Sequence, residues 1–458
     1  MPEPLWTAQE IVAATGGNHV GPGFSATGVS IDTRTLEPGD LFVALGGVRD
    51  GHEFISTAMD KGAAGALVSR PVEVPAVIVP DTLTALERLG LVARQRCPAR
   101  RCAVTGSVGK TSVTQAIRAG LSRAGRAHSS VKSYNNHIGV PLTLARMPRD
   151  TERAVFEIGM NHAGEITPLS RMVSPQVAVI TTVGPVHTEN FPDGETGVAH
   201  AKAEIFAGLG PGGTAVLNAD NPWFDLLAAE AAKAGAKVVR FGSSDACEAQ
   251  LLGFALEGEG ARVEARLHAR AFSFPILQSG FHWGLNSLAV LLALEAMNVD
   301  EATSLAALAE FQPLEGRGAE YQVAGFTLID ESYNANPISM AAAMKSLGAR
   351  PAKGRRIVAL TDMLELGADA QKFHAGLAKH IDEAGVDLAF AAGPLMKSFW
   401  DALPPTRRGG YAETADALAP LVAQAVEPGD LVMVKGSNGS KAGVVAQALR
   451  ALDRKGGR

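Results

Sequence analysis

Cysteine is scarce in this chain. Cys97, Cys102 and Cys247 are odd in number and lack paired ligand spacing, which excludes a disulfide framework and a cysteine zinc site and suits buried thiols in a reducing cytosol. An excess of one charge is missing too: 42 Lys and Arg stand against 47 Asp and Glu, a formal charge of -5. No global basic field is therefore present to attract nucleic acid or an acidic membrane, and any anionic ligand must be held locally. No apolar run is long enough to span a bilayer; the strongest, Leu288 to Met297, is interrupted by Glu295. The opening Met1-Pro-Glu-Pro-Leu-Trp6 has neither the basic nor the apolar stretch of a secretory leader. A cytoplasmic monomer with no nucleic-acid partner and no stable membrane insertion is expected. Repeats of solenoid length and low-complexity tracts are also lacking, apart from the short basic tail Arg454 to Arg458.

What is present begins with Ala103-Val-Thr-Gly-Ser-Val-Gly-Lys-Thr-Ser112, an apolar strand running into a glycine turn and then a helix expected from Lys110 to about Gly125. Gly106 and Gly109 let backbone N–H groups converge on an anion, and the helix N-terminus adds its positive end. Lys110 supplies a point charge, and Thr111 can hold the magnesium of a nucleotide. The phosphate cradle Gly106, Ser107, Val108, Gly109, Lys110, Thr111, Ser112 departs from a full Walker A pattern, which needs glycine where this chain has Val104. The alternative, a glycine-rich turn without a ligand, fits a bare Gly-x-x-Gly better than one followed at once by Lys-Thr-Ser.

At 458 residues the chain has room for about three domains, each with its own core. Residues 1–82 hold short apolar runs parted by glycine, such as Asp40 to Leu45, and read as a small α/β module. Over 83–314, apolar runs at Ala154 to Ile158, Val177 to Thr182 and Ala215 to Asn218 alternate with helical stretches, the last being Leu285 to Met297. That alternation predicts a mainly parallel sheet covered on both faces, of P-loop ATPase type. Pro313 to Arg317 reads as a linker, and 315–458 as a Rossmann-like doubly wound domain with strands at Phe326 to Asp330, Ile357 to Leu360, Leu388 to Ala392 and Leu431 to Val434.

Ligands of open α/β sheets gather beyond the carboxyl ends of the strands. Glu157, Asn161, His162, His187 and Glu189 stand at such ends. Glu157 and His187 are candidates for magnesium beside the phosphate loop, although magnesium prefers oxygen; a salt-bridge glutamate and a turn histidine are the alternatives. Lys202, in an aliphatic helical stretch, is either a snorkelling lysine or one of lowered pKa able to form a carbamate with CO₂. The loop Asp330-Glu-Ser-Tyr-Asn-Ala-Asn-Pro337 packs carboxylates, a phenol and amides together, suiting ribose or a peptide backbone; an Asx-rich turn is the alternative. Asp362, Glu365 and Lys435 to Asn438 also follow strands.

With the phosphate loop, Asn135-Asn-His-Ile-Gly-Val-Pro141, Glu157 to Glu165 and the Asp330 loop in hand, the chain resembles the Mur ligase family along nearly its whole length. The loop Ser332 to Pro337 is most similar to the branch that joins D-alanyl-D-alanine to UDP-N-acetylmuramoyl-tripeptide. The resemblance implies an ATP- and Mg²⁺-dependent amide ligase working through an acyl phosphate. It implies that 1–82 holds the UDP end of the substrate, with Thr33, Arg34 and His52 among its contacts, and that the third domain closes on the central one. Thr111, Glu157, His187 and Lys202, the last as a carbamate, are implied for metal. Lys110, Lys202, His187 and Arg317 are implied for catalysis, and Asn286, Arg317 and Asp330 for adenine, phosphate and ribose. Asn135, Asn136, Tyr333, Asn334 and Asn336 are implied to face the peptide substrates. Where the family usually has His-Asn this chain has His282-Trp283, and where it often has Lys-Gly-Ser-Arg this chain has Lys435-Gly-Ser-Asn438. A folylpolyglutamate-type ligase and a nucleotide-binding regulator without activity remain the alternatives.

Overall fold

The computed structural model describes residues 4–47, 49–131, 133–186, 188–258 and 260–453. His187 and the tail Arg454 to Arg458 lie outside them. Among the described residues the largest sheet has nine strands, in the order Arg270–Ile276, Gly260–Leu267, Ala249–Glu257, Lys237–Gly242, Thr214–Asn218, Val177–Ile180, Arg100–Thr105, Arg153–Glu157, Ala127–Ser129. Side-chain alternation along its middle strands explains why they read as unbroken apolar runs. Cys102, Val104, Val177, Val179 and Val216 face one core, while Ala103, Ala178, Ile180, Ala215 and Leu217 face the other. Helix His282–Ala296 is buried almost all round within the first core, and helix Lys110–Ala124 lies beside it.

The expectation of a mainly parallel sheet holds for seven strands, as far as Ala249–Glu257, and fails only at the far edge beyond it. Ala249–Glu257, Gly260–Leu267 and Arg270–Ile276 form an antiparallel meander. Its middle strand carries Arg262, Glu264 and Arg266 between buried Ala261, Val263 and Ala265, the alternation of a sheet with one covered face.

The C-terminal sheet runs Ala319–Val323, Phe326–Glu331, Leu431–Lys435, Arg356–Thr361, Leu388–Ala392, Arg408–Ala412; its first pair is antiparallel and the rest parallel, with a core on each face. The N-terminal module carries a five-stranded sheet, Asn18–Val20, Ala76–Ile78, Gly65–Val68, Asp40–Val43, Gly28–Ser30. Helix Thr82–Arg96, whose first residue is Thr82, joins that module to the central sheet. Its Leu86, Leu89 and Ala93 share one core with Trp6, Leu41 and Leu67 and with Leu142 and Ala145 of helix Gly139–Ala145. Fully buried Trp6 donates its indole N–H to the Ala145 carbonyl at 2.8 Å. Gly90 lets the two helices touch, because a Cβ there would stand 3.0 Å from the Pro141 carbonyl oxygen.

His128, on the edge strand Ala127–Ser129, donates from Nε2 to the Thr143 carbonyl at 2.7 Å and meets the Phe156 ring edge-on. Burial pushes its imidazole down to about 4. The folded state thus binds fewer protons than the unfolded one between that value and the ordinary imidazole range, so stability falls as pH drops through this window. His128→Gln, which keeps a donor for Thr143, is expected to flatten the loss between about pH 6.5 and pH 4 in urea titrations. Gly90→Val is expected to destabilise the chain by about 1–3 kcal/mol through overpacking, measured as a lowered melting midpoint.

Candidate active site

The phosphate loop leaves the carboxyl end of strand Arg100–Thr105 and is strapped to the end of its neighbour Val177–Ile180. The Ser107 N–H donates to the Thr182 carbonyl at 2.8 Å, the Ser107 hydroxyl to the Gly184 carbonyl at 3.1 Å, and the Thr181 hydroxyl to the Val108 carbonyl at 2.5 Å. Gly106 and Gly109 take φ of 145° and 87°, and a Cβ on Gly106 would collide with Thr181 Oγ1. Helix Lys110–Ala124 begins immediately after, so its unpaired N-terminal amides face the loop's concavity. Lys110 bends back to donate to the Gly106 carbonyl at 2.8 Å. Its ammonium is held below the ordinary lysine range, first by desolvation; Arg317 adds to that effect and Glu157 opposes it.

Glu157 ends strand Arg153–Glu157, paired in register with Val104 of the neighbouring strand. It is 1% exposed; Oε1 accepts from Asn135 Nδ2 at 2.7 Å, while Oε2 is buried with no hydrogen-bond partner. A buried, unpartnered carboxylate oxygen is costly unless a cation meets it. With Thr111 Oγ1 on the same cavity wall, the donor set is hard oxygen and fits Mg²⁺, which completes its shell with phosphate and water. Among the described residues no cluster of three His, Cys, Asp or Glu side chains could hold a metal by itself. Lys202, on helix Glu195–Ala203, is 1% exposed and does not line the cavity; no hydrogen bond or ion pair engages its Nζ among the described residues. Its ammonium is pushed well below the usual range by burial and then by the charge of Lys110, with Glu204 opposing.

A cavity of about 540 Å³ separates this wall from the C-terminal domain. It brings together Ser107 to Ser112, Asn135, Glu157 and Asn286 on one side and Arg317, Tyr333, Asn334 and Asn336 on the other. The Arg317 guanidinium lies 3.9 Å over the Tyr333 ring. Asn286 stands against the loop, 3.3 Å from where a Gly109 Cβ would be. The cleft is shut: Gly184 is small enough to admit the Ile338 side chain, Gly367 packs on Glu189, and a half-buried Glu320–Arg350 pair is capped by Ser279 of the central domain, which donates to Glu320 at 2.8 Å.

Several residues expected on ligands have other work. Asn336 caps helix Pro337–Ala349, accepting from the Ser339 N–H at 2.9 Å, and Asn136 accepts from the Gly139 N–H at 2.9 Å. The Asn334 amide oxygen turns onto the Ala335 N–H at 2.9 Å. Asp330 is buried outside the cavity lining, accepting from the Ser332 N–H at 3.1 Å; its neighbour Glu331 lines the cavity and pairs with buried Lys435 at 3.1 Å. Asp362 accepts from the Met396 N–H at 2.8 Å. In the N-terminal module, His52 shares its Nδ1 proton with Asp50 at 2.6 Å and accepts from the Ser69 N–H at Nε2, so both ring nitrogens are engaged within that module. Arg34 is exposed and bidentate on Asp32, and the Thr33 carbonyl accepts from Lys61 at 2.7 Å. Thr33, Arg34 and His52 stand apart from the cavity.

Sequence reading missed Ser133, Gln278 and the helix face Ser339, Ala342, Ala343, Ser346 and Arg350. The helix face was legible as spacing at three and four; Ser133 and Gln278 carry no local signal.

Family models match three stretches: Mur ligase family, catalytic domain, at 25–97; Mur ligase middle domain at 104–294; and Mur ligase, glutamate ligase domain, at 316–438. The UDP-N-acetylmuramoyl-tripeptide--D-alanyl-D-alanine ligase of Escherichia coli (strain K12) is 36% identical, over 84% of this chain and 86% of its own. That of Rickettsia prowazekii (strain Madrid E) is 31% identical over 95% and 98%. A crystal structure of MurF from Acinetobacter baumannii superposes with a TM-score of 0.85 at 27% identity, covering 98% of this chain and 99% of that one. With the phosphate loop, the cleft and matches over its length, the chain belongs to the Mur ligase family, a family of ATP-dependent amide ligases.

Proposed function

We propose that the chain joins D-alanyl-D-alanine to UDP-N-acetylmuramoyl-tripeptide in the cytoplasm, as a monomer, giving the UDP-linked pentapeptide precursor of peptidoglycan, ADP and phosphate. The observation that carries this reading is the cavity itself, with the phosphate loop on one wall and the Tyr333 to Asn336 loop on the other. In this reading residues 1–82 hold the UDP end, 83–314 hold ATP, and 315–458 bring the dipeptide. Among the described residues no helix is long and apolar enough to cross a membrane.

A carboxylate is a poor electrophile at neutral pH. The tripeptide's terminal carboxylate oxygen bonds to the γ-phosphorus as the bond from that phosphorus to ADP breaks. The dipeptide amine then bonds to the acyl carbon, sheds a proton, and phosphate leaves. The site's own groups are suited to each demand. Loop amides and Lys110 bind the phosphates, Asn286 borders the nucleoside, Asp330 acts through the turn it holds at Ser332, and Arg317 offsets charge on the transferring group. Thr111 and Glu157 would hold Mg²⁺, with His187 and a carbamate on Lys202 as the further ligands that the family resemblance implies, and the ion would supply neutralising charge to the phosphates. Asn135 fixes the Glu157 carboxylate by its 2.7 Å bond. Asn136 and Asn336 act through the helices they cap, and Tyr333 and Asn334 border the dipeptide. Thr33, Arg34 and His52 shape the module that receives UDP.

Phosphate release from Mg-ATP and UDP-N-acetylmuramoyl-tripeptide is expected with D-Ala-D-Ala and not with free D-Ala, diaminopimelate or no amine. Release with another amine alone would move the chain to a sibling ligase, and none at all would favour a regulator. Lys110→Ala is expected to lower the rate on the order of 10²- to 10³-fold. Because burial depresses the Lys202 ammonium, the unfolded chain binds a proton that the folded one does not, and stability rises with pH toward the ordinary lysine range. Lys202→Met is expected to remove that rise while abolishing phosphate release; an unchanged pH–stability slope would contradict a neutral amine.

A further inference from the structure

Ser133 lies between Asn135, which grips Glu157, and the loop that follows strand Ala127–Ser129, and nothing in its local sequence marks it. Its single hydroxyl meets three side chains from three separate segments. Thr111 Oγ1 of the phosphate loop is 3.3 Å away, the Tyr333 hydroxyl donates to it at 2.8 Å, and Arg317 Nη2 donates at 3.4 Å. A serine hydroxyl has two acceptor sites and one hydrogen. Tyr333 and Arg317 occupy the acceptor sites, which leaves the hydrogen for Thr111. Every hydrogen-bonding capacity of the group is thus spent, two of the three contacts being made across the cleft.

The two C-terminal side chains depend on it in turn. Among the described residues Ser133 is the hydrogen-bond partner of the Tyr333 phenol and of the Arg317 guanidinium, and those two are stacked on each other. The other docking contacts, Ile338 on Gly184 and Ser279 on the Glu320–Arg350 pair, hold the domain without touching a phosphate-site hydroxyl. We propose that Ser133 is a positioning residue of the ligase: its hydroxyl registers Arg317 and the dipeptide loop against Thr111, so that amine and acyl phosphate meet only when the domain is docked. The inference rests on the ligase reading and deepens it.

Nucleotide binding is made largely by loop amides on the other side of this contact. Ser133→Ala is therefore expected to lower kcat with D-Ala-D-Ala roughly tenfold, the worth of a lost hydrogen-bond pair, while ADP affinity measured by calorimetry stays within about twofold. Ser133→Thr, which restores the hydroxyl, is expected to recover most of the rate. Tyr333→Phe acts on the same contact, so Ser133→Ala with Tyr333→Phe is expected to be little slower than the slower single variant. Low-angle scattering of the ADP-bound protein is expected to show a larger radius of gyration for Ser133→Ala than for the parent. Additive losses in the double variant, an unchanged kcat, a parallel fall in ADP affinity, or identical scattering profiles would each overturn the proposal. A parent that binds ADP yet releases no phosphate with D-Ala-D-Ala would instead sink the ligase reading; the scattering comparison would then decide the docking role by itself.

Discussion

Lys110 and Arg317 bring two positive charges to one cavity, and the charge of Lys110 adds to the burial that depresses the Lys202 ammonium. Against them stands Glu157, with one oxygen unpartnered. Cationic groups gathered at one cavity need a rigid scaffold to hold them, and the parallel sheet provides that rigidity. The ends of Arg100–Thr105, Arg153–Glu157 and Val177–Ile180 lie side by side in register, and each carries part of the site on the turn that follows it. A polyanion relieves the repulsion, which gives the cavity its appetite for phosphate without any excess of basic residues in the chain as a whole. Burial comes first in holding both lysines below their ordinary range, and the neighbouring positive charges add to it.

How much of this was legible in the sequence varied with the physics behind each element. Strands buried on both faces read as apolar runs, so the middle of the central sheet and four strands of the C-terminal one stood out. Edge and one-face strands did not: Arg408–Ala412 carries Gly409 and Gly410, and Gly260–Leu267 interleaves Arg262, Glu264 and Arg266. The phosphate loop was readable because glycine, lysine and hydroxyls at that spacing have few other uses. Asparagine was the weak point. Asn136 and Asn336 satisfy helix-end amides, a task that calls for the same short side chain as binding a peptide, and only the fold tells the two apart. His52 is a related case, since an aspartate two residues away and a backbone N–H from Ser69 engage its ring, partners that only the fold reveals.

The two outer modules are joined to the central one by different kinds of matter. On the N-terminal side the joint is hydrocarbon, a continuous core through helix Thr82–Arg96 with helices in contact at Gly90. On the C-terminal side it is mostly hydrogen bonds, among them those that tie Ser279 to the Glu320–Arg350 pair, groups that water can replace. A greasy joint loses its whole stabilisation when parted, whereas a polar one exchanges partners at small net cost. The molecule therefore behaves as a vise with one fixed jaw. Under the proposed reading the nucleotide-sugar end falls to the fixed jaw, and opening and closing fall to the other.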